Sequence, residues 1–166
     1  MMDPKHAEQS AKTPRDSATI VVLREARAGV ELFCVERHPG SRVLGGAIVF
    51  PGGKVDAADW EDCWSELTTA LQPRALALGE ERAARAFAVA GLRELLEEAA
   101  ILPVAERSLS HEATLGLQQA LVSAAGTEHE ESLAFAELLR AQGLRLATDR
   151  LEALWRWITP QAESRR

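Results

Sequence analysis

Three glutamates within five residues, in Arg93-Glu94-Leu95-Leu96-Glu97-Glu98, carry the strongest chemical signal in the chain. On a helix, positions i, i+3 and i+4 are neighbours on one face. At about 100° per residue, Glu97 and Glu98 fall within ~60° of Glu94, while Leu92, Leu95, Leu96 and Ala99 lie between ~100° and ~200°. The helix is split into an aliphatic side and a pure carboxylate side. Like charges at that spacing repel by roughly a few tenths of a kcal/mol even in water. A divalent cation would reverse the sign, and hard oxygen donors on a short rigid stretch suit Mg2+ or Mn2+. Taken alone, the hexapeptide is more ordinary than that, a solvated acidic face, because Glu is a common helix former. A second segment, Phe50-Pro51-Gly52-Gly53-Lys54-Val55-Asp56, shifts the balance. Two glycines after a strand let backbone N–H and C=O groups approach a ligand or a metal closely. Arg37, His38, Arg42 and Lys54 stand near that diglycine in sequence and could hold phosphates, with solvated loop charge as the plainer alternative.

The elements that must position these residues follow a strands-then-helices order, which predicts an α+β fold. Ala18 to Leu23 and Val30 to Val35 read as two strands of a hairpin joined by a turn over Arg24 to Gly29. Ala47 to Phe50 is a third short strand, stopped by Pro51-Gly52-Gly53. Helices are expected over Asp59 to Leu71, Glu80 to Ile101 and Leu109 to Ala125. Thr127-x-x-Glu130 is read as a capping box for a helix that runs to Gln142 and stops at Gly143. Arg150 to Ile158 reads as a helix end passing into a strand. Residues 1–17 read as a mobile polar tail, and 18–166 as a single domain.

Composition narrows the function. The 166 residues are 46% hydrophobic and 27% charged, which suits one globular core. The net charge of −6 argues against broad nucleic-acid or anionic-membrane binding. No apolar run is long enough to cross a bilayer, and the first residues lack the apolar stretch of a secretory signal. Cys34 and Cys63 form no CxxC or disulfide framework, so a reducing cytoplasm is the expected compartment. Trp60, Trp64, Trp155 and Trp157 are expected mostly as core or interface anchors. His111 and His129 are expected at the surface, and Leu133, Leu138 and Leu139 as helix packing.

The diglycine and carboxylate segments together resemble the Nudix box: Gly, five residues, Glu, seven residues, then Arg-Glu-aliphatic-x-Glu-Glu-x-Gly-aliphatic. Gly53 matches the first Gly, and Asp59 stands where Glu is expected. Arg93 to Ile101 matches the end, with Ala100 in place of Gly. Between Asp59 and Arg93 lie 33 residues, an insertion of 26 over the family spacing. Arg37-His38-Pro39, the insertion and Trp155-Arg156-Trp157-Ile158-Thr159-Pro160 look like the branch that includes coenzyme A and acyl-CoA diphosphatases. The resemblance implies an α/β/α sandwich around a mixed sheet, with a helical insertion over about 60–85.

The same resemblance implies that Glu94, Glu97, Glu98 and the Gly52 carbonyl bind Mg2+ or Mn2+. Arg93 would orient the glutamates by ion pairing, and Glu94 or Glu97 would act as general base. Arg37, Arg42, Lys54 and Gly53 become candidate substrate contacts. The implied reaction is attack of water on a nucleoside diphosphate linked to another moiety, a small-molecule nucleotide such as coenzyme A. A left-handed turn at Ala100 would cost about 1 kcal/mol, so the helix is expected to run further or bend differently. The inserted residues, including Trp60, Trp64, Leu67, Leu71 and Leu76, are read as a satellite cluster, with a pocket wall as the alternative. A Nudix module needs more strands than Leu102 to Arg166 offers. The expectation is therefore a chain truncated after Arg166, or a sheet completed by a partner chain as in a homodimer. Two other readings stand beside the enzyme: a non-catalytic Nudix-like nucleotide-binding module, and a helical interaction protein whose acidic face is incidental.

Overall fold

The computed structural model describes residues 14–41, 44–77, 79–124 and 128–158. The fold is α+β, as the strands-then-helices order predicts. Strands come first: β1 (Ser17–Thr19), β2 (Val22–Ala26), β3 (Gly29–Phe33), β4 (Val35–Glu36), β5 (Ile48–Val49) and β6 (Gly52–Lys54). Among the described residues they form three two-stranded antiparallel ladders, β1 with β6, β2 with β3, and β4 with β5. A 3-10 turn (Ala57–Trp60) leads into α1 (Trp64–Leu67), α2 (Pro73–Leu76), α3 (Glu81–Ala99), α4 (His111–Ala124) and α5 (Glu128–Gln142). A second 3-10 turn (Thr148–Arg150) follows. No helix among the described residues is long and apolar enough to cross a membrane.

The first apolar run is divided rather than continuous. Ile20 N–H still donates to the Pro51 carbonyl at 2.9 Å. Two residues later Val22 already pairs with Phe33 in the hairpin. One run thus serves two ladders. The third strand does stop before Pro51, with β5 ending at Val49, but β1 supplies partners for Gly52 and Gly53, so the diglycine opens a separate strand, β6.

The helical expectations hold best where propensity and burial agree. Helix α3 is Ala-, Leu- and Glu-rich and buries Ala86, Val89, Ala90, Gly91, Leu92, Arg93, Leu95 and Leu96, so its strip beside β1 and β6 is central to the fold. Helix α4 buries Thr114, Leu117 and Leu121, one face at i, i+3 and i+7. Phe135, Ala136 and Leu139 of α5 are buried against the same core, while Leu133 is 41% exposed. Gly143 stops α5 at φ 60°; the predicted box at Thr127 and Glu130 lies outside the residues whose side chains are described, as do His129 and most of the tail.

Two expected elements are replaced. Over Asp59 to Leu71 only Trp64–Leu67 is α-helical; Thr68 then bridges Leu146 in parallel, and Thr69 N–H donates to the Leu146 carbonyl at 2.9 Å. Pairing with a segment far along the chain outweighs local helix propensity there. Leu151 to Ile158 forms no regular element, and Trp155 and Trp157 are 81% and 72% exposed, so of the core or interface role expected of them the core role is not met. Trp64 and Leu67 join the main core, not a satellite cluster.

Helix α3 ends at Ala99, earlier than Ile101. Ala100 takes the left-handed conformation (φ 51°, ψ 39°) and its N–H donates to the Leu96 carbonyl at 2.9 Å. The expected extension is therefore absent. The turn lets Leu102 and Val104 enter the core, and Val104 bridges Leu146. Burial of those side chains offsets the roughly 1 kcal/mol that an alanine loses in this conformation.

Candidate metal and diphosphate site

Helix α3 meets β6 through small residues. A Cβ on Gly53 would overlap the Glu94 carboxylate, and one on Gly91 would lie 2.9 Å from Ile20 Cγ1. Glycine at both positions lets helix and strand approach this closely. The Gly52 N–H donates to Glu98 Oε2 at 3.1 Å, across 46 positions of sequence. The structure therefore brings Gly52, Gly53, Glu94 and Glu98 together.

Arg93 lies beneath this contact, 1% exposed. Its Nη1 donates to Glu94 Oε1 at 3.1 Å and to Glu97 Oε1 at 3.4 Å. Its Nη2 donates to the Lys54 carbonyl at 3.1 Å and to Asp59 Oδ2 at 3.3 Å, and stands 3.2 Å from Asp56 Oδ2. One guanidinium thus gathers four carboxylates from α3 and from the turn after β6. Burial works against its charge, but Asp59 foremost, then Glu94 and Glu97, outweigh it and hold the pKa above its ordinary value. Asp59 is buried, and its Oδ2 also accepts the Asp56 N–H at 2.9 Å. Two atoms in this cluster, Asp59 Oδ1 and Arg93 Nε, are buried with no hydrogen-bond partner.

Sequence reasoning placed Arg93 against the glutamates. It did not find that Asp56 and Asp59 share the same guanidinium. The one signal for Asp59 was its place after Gly53 with five residues between them; for Asp56 there was none. The other candidates lie after β4, at the end of β6 and in the loop between. Arg37 is half-buried, its N–H donating to the Ala47 carbonyl and its own carbonyl accepting from Gly46. Lys54 is exposed at the end of β6. Arg42 lies outside the described residues. His38 Nδ1 accepts the Gly40 N–H at 3.0 Å and so shapes its own loop.

The electrostatics of Glu94 bear on what the face can hold. Burial raises its pKa above the usual carboxylate range; Arg93 opposes this, and the charges of Glu98 and Asp56 add to it. Hard oxygen donors on one helix face fit a divalent cation by chemistry. By geometry, no three acidic, imidazole or thiol groups among the described residues converge to hold an ion. Arg93 engages Glu94 and Glu97, and the Gly52 N–H engages Glu98.

No family model matches the chain. No curated protein matches it either. A solved structure does: a Nudix hydrolase from Alicyclobacillus acidocaldarius is 25% identical, with a TM-score of 0.66 over 90% of this chain. The chain spans 64% of the length of that protein. The helices and small sheets thus form a fold similar to that of a Nudix hydrolase.

Proposed function

We propose that this chain hydrolyses the diphosphate bond of a nucleoside diphosphate linked to another moiety, using a divalent cation held on α3. The observation that carries the reading is the contact of the α3 carboxylates with the diglycine of β6, over a buried arginine. The likeness to a Nudix hydrolase supports it. Glu94, Glu97, Glu98 and the Gly52 carbonyl are the groups that would hold Mg2+ or Mn2+. Such an ion neutralises phosphate charge and makes water a better nucleophile.

The chain's own residues supply the rest. Arg93 fixes the orientation of Glu94 and Glu97 through its two Nη1 bonds. Glu94 or Glu97 takes the proton from the attacking water. Arg37 and Lys54 contact the phosphates, with Arg42 as a further candidate. Coenzyme A or an acyl-CoA is the first substrate to try, on the resemblance of Arg37-His38-Pro39 and Phe50-Pro51-Gly52-Gly53 to that branch.

A second reading is nucleotide binding without turnover. It is favoured by one observation, that the acids are engaged by Arg93 and Gly52 and do not converge among the described residues. Release of the two phosphate-monoester products from ADP-ribose, NADH and coenzyme A with added Mg2+ separates the two. The enzyme reading expects release that Glu97→Gln and Glu98→Gln each abolish. Release unchanged from wild type in both variants would remove the catalytic assignment. Thermal stabilisation by nucleotide without release would select the binding module.

A further inference from the structure

We infer that Trp64, in the inserted segment, is a positioning residue for the carboxylate site: its indole N–H holds the Ala58 carbonyl and thereby sets Asp59 beneath Arg93. The inference rests on reading the α3 face as the working site. Trp64 is 1% exposed, and its Nε1 donates to the Ala58 carbonyl at 2.8 Å within the core. An apolar ring of the same size would fill the space equally, so the buried N–H bond is what distinguishes tryptophan here.

The next residue after Ala58 is Asp59. Its carboxylate is only partly fixed by its own bonds, because Oδ2 meets Arg93 and the Asp56 N–H while Oδ1 has no partner. Where the Ala57–Trp60 turn sits therefore decides whether Asp59 reaches the guanidinium. Trp64 sets that position from a well-held base. Its ring packs on Phe135 of α5, with centroids 5.7 Å apart. Its carbonyl accepts Thr68 Oγ1 at 2.7 Å, and Arg85 of α3 donates to the same hydroxyl. The insertion acts as a strut from α3 and α5 to the underside of the acids.

The test replaces Trp64 with phenylalanine and, separately, with 3-benzothienylalanine, an indole isostere that lacks the N–H. Phe135→Leu is the control, since it weakens the same packing and leaves the donor in place. The direct readout is the NMR spectrum of the Arg93 guanidinium, whose separate Nη signals report restricted rotation by its carboxylates. The expected result is loss of those separate signals in both Trp64 variants and their retention in Phe135→Leu. With an active enzyme, kcat falls about 10- to 100-fold in the Trp64 variants while KM stays within about twofold, the scale of a small misplacement of catalytic groups. Retention of the Arg93 signals and of kcat in the benzothienyl protein overturns the inference. So does an equal change in Phe135→Leu. A wild type without metal-dependent turnover, in which the Trp64 variants still lose the Arg93 signals, defeats the enzyme reading and leaves the positioning role standing.

Discussion

Arg93 is 1% exposed and gathers four carboxylates and a carbonyl, whereas Arg24 meets Glu31 at 2.6 Å with 79% and 53% of the two side chains open to water. Both are arginine–carboxylate contacts, the second across a hairpin and the first both within α3 and to the turn after β6. Their surroundings make them different devices. At the β2–β3 hairpin, water screens the pair, and either partner alone remains well solvated. At α3, each carboxylate has been taken partly or wholly out of water, and the arginine is what makes that tolerable. A buried knot of this kind is weak evidence for net stability, but strong evidence that the positions of Glu94 and Glu97 are fixed.

The largest effect should come from cutting the buried knot. Arg93→Met leaves Asp59 and Asp56 without their shared cation and should cost about 3–5 kcal/mol in urea unfolding. Arg93→Lys should recover only part, because a point charge cannot serve Nη1 and Nη2 partners together. A loss below about 1 kcal/mol for Arg93→Met would erase the distinction between the two regions.

A smaller effect of opposite sign is expected at the end of the same helix. Ala100→Gly relieves the left-handed alanine and should stabilise by up to about 1 kcal/mol, less the extra chain entropy of glycine. For a chain of this size that is a rise of roughly 2–4 °C in Tm. No rise, or a fall, would mean that Ala100 is held by packing that glycine forfeits.

Glu94 supplies a pH test. Its pKa is raised in the folded state, so its share of stability is present below the ordinary carboxylate range and is lost as pH rises through the raised value. Without a dication, Glu94→Gln should therefore be more stable than wild type at neutral pH, and the gain should vanish as the pH falls below the ordinary carboxylate range. A variant equally destabilised at all pH values would show that the Arg93 hydrogen bond, and not burial, dominates at Glu94. The smallest effect belongs to the hairpin: Glu31→Ala should cost at most about 1 kcal/mol, and less in high salt.

The same contrast governs what the sequence could reveal. Helix α3 was legible because composition and the i, i+3, i+4 acid spacing act within one element. The pairing of Arg93 with Glu97, expected from the family resemblance, also lies within that one element. Asp59 reaches the same arginine from 34 positions away, and no local pattern encodes the closure of that loop. Thr68 and Leu146 are likewise joined by a bridge that a helix-forming stretch could not announce. Trp155 and Trp157 carry the composition of a core strand, yet stand exposed with no described segment covering them. Residue type marks a side chain as apolar; it does not supply the surface that buries it.

The central claim is that the face of α3 opposite β6 grips a dication. Titration of wild type and Glu98→Gln with Mn2+, followed by electron paramagnetic resonance, addresses it without assuming a substrate. The account predicts a saturable site in wild type, weakened by on the order of 10-fold or more when the carboxylate facing Gly52 loses its charge. Equal Mn2+ affinity in the two proteins would place any ion elsewhere and contradict the claim.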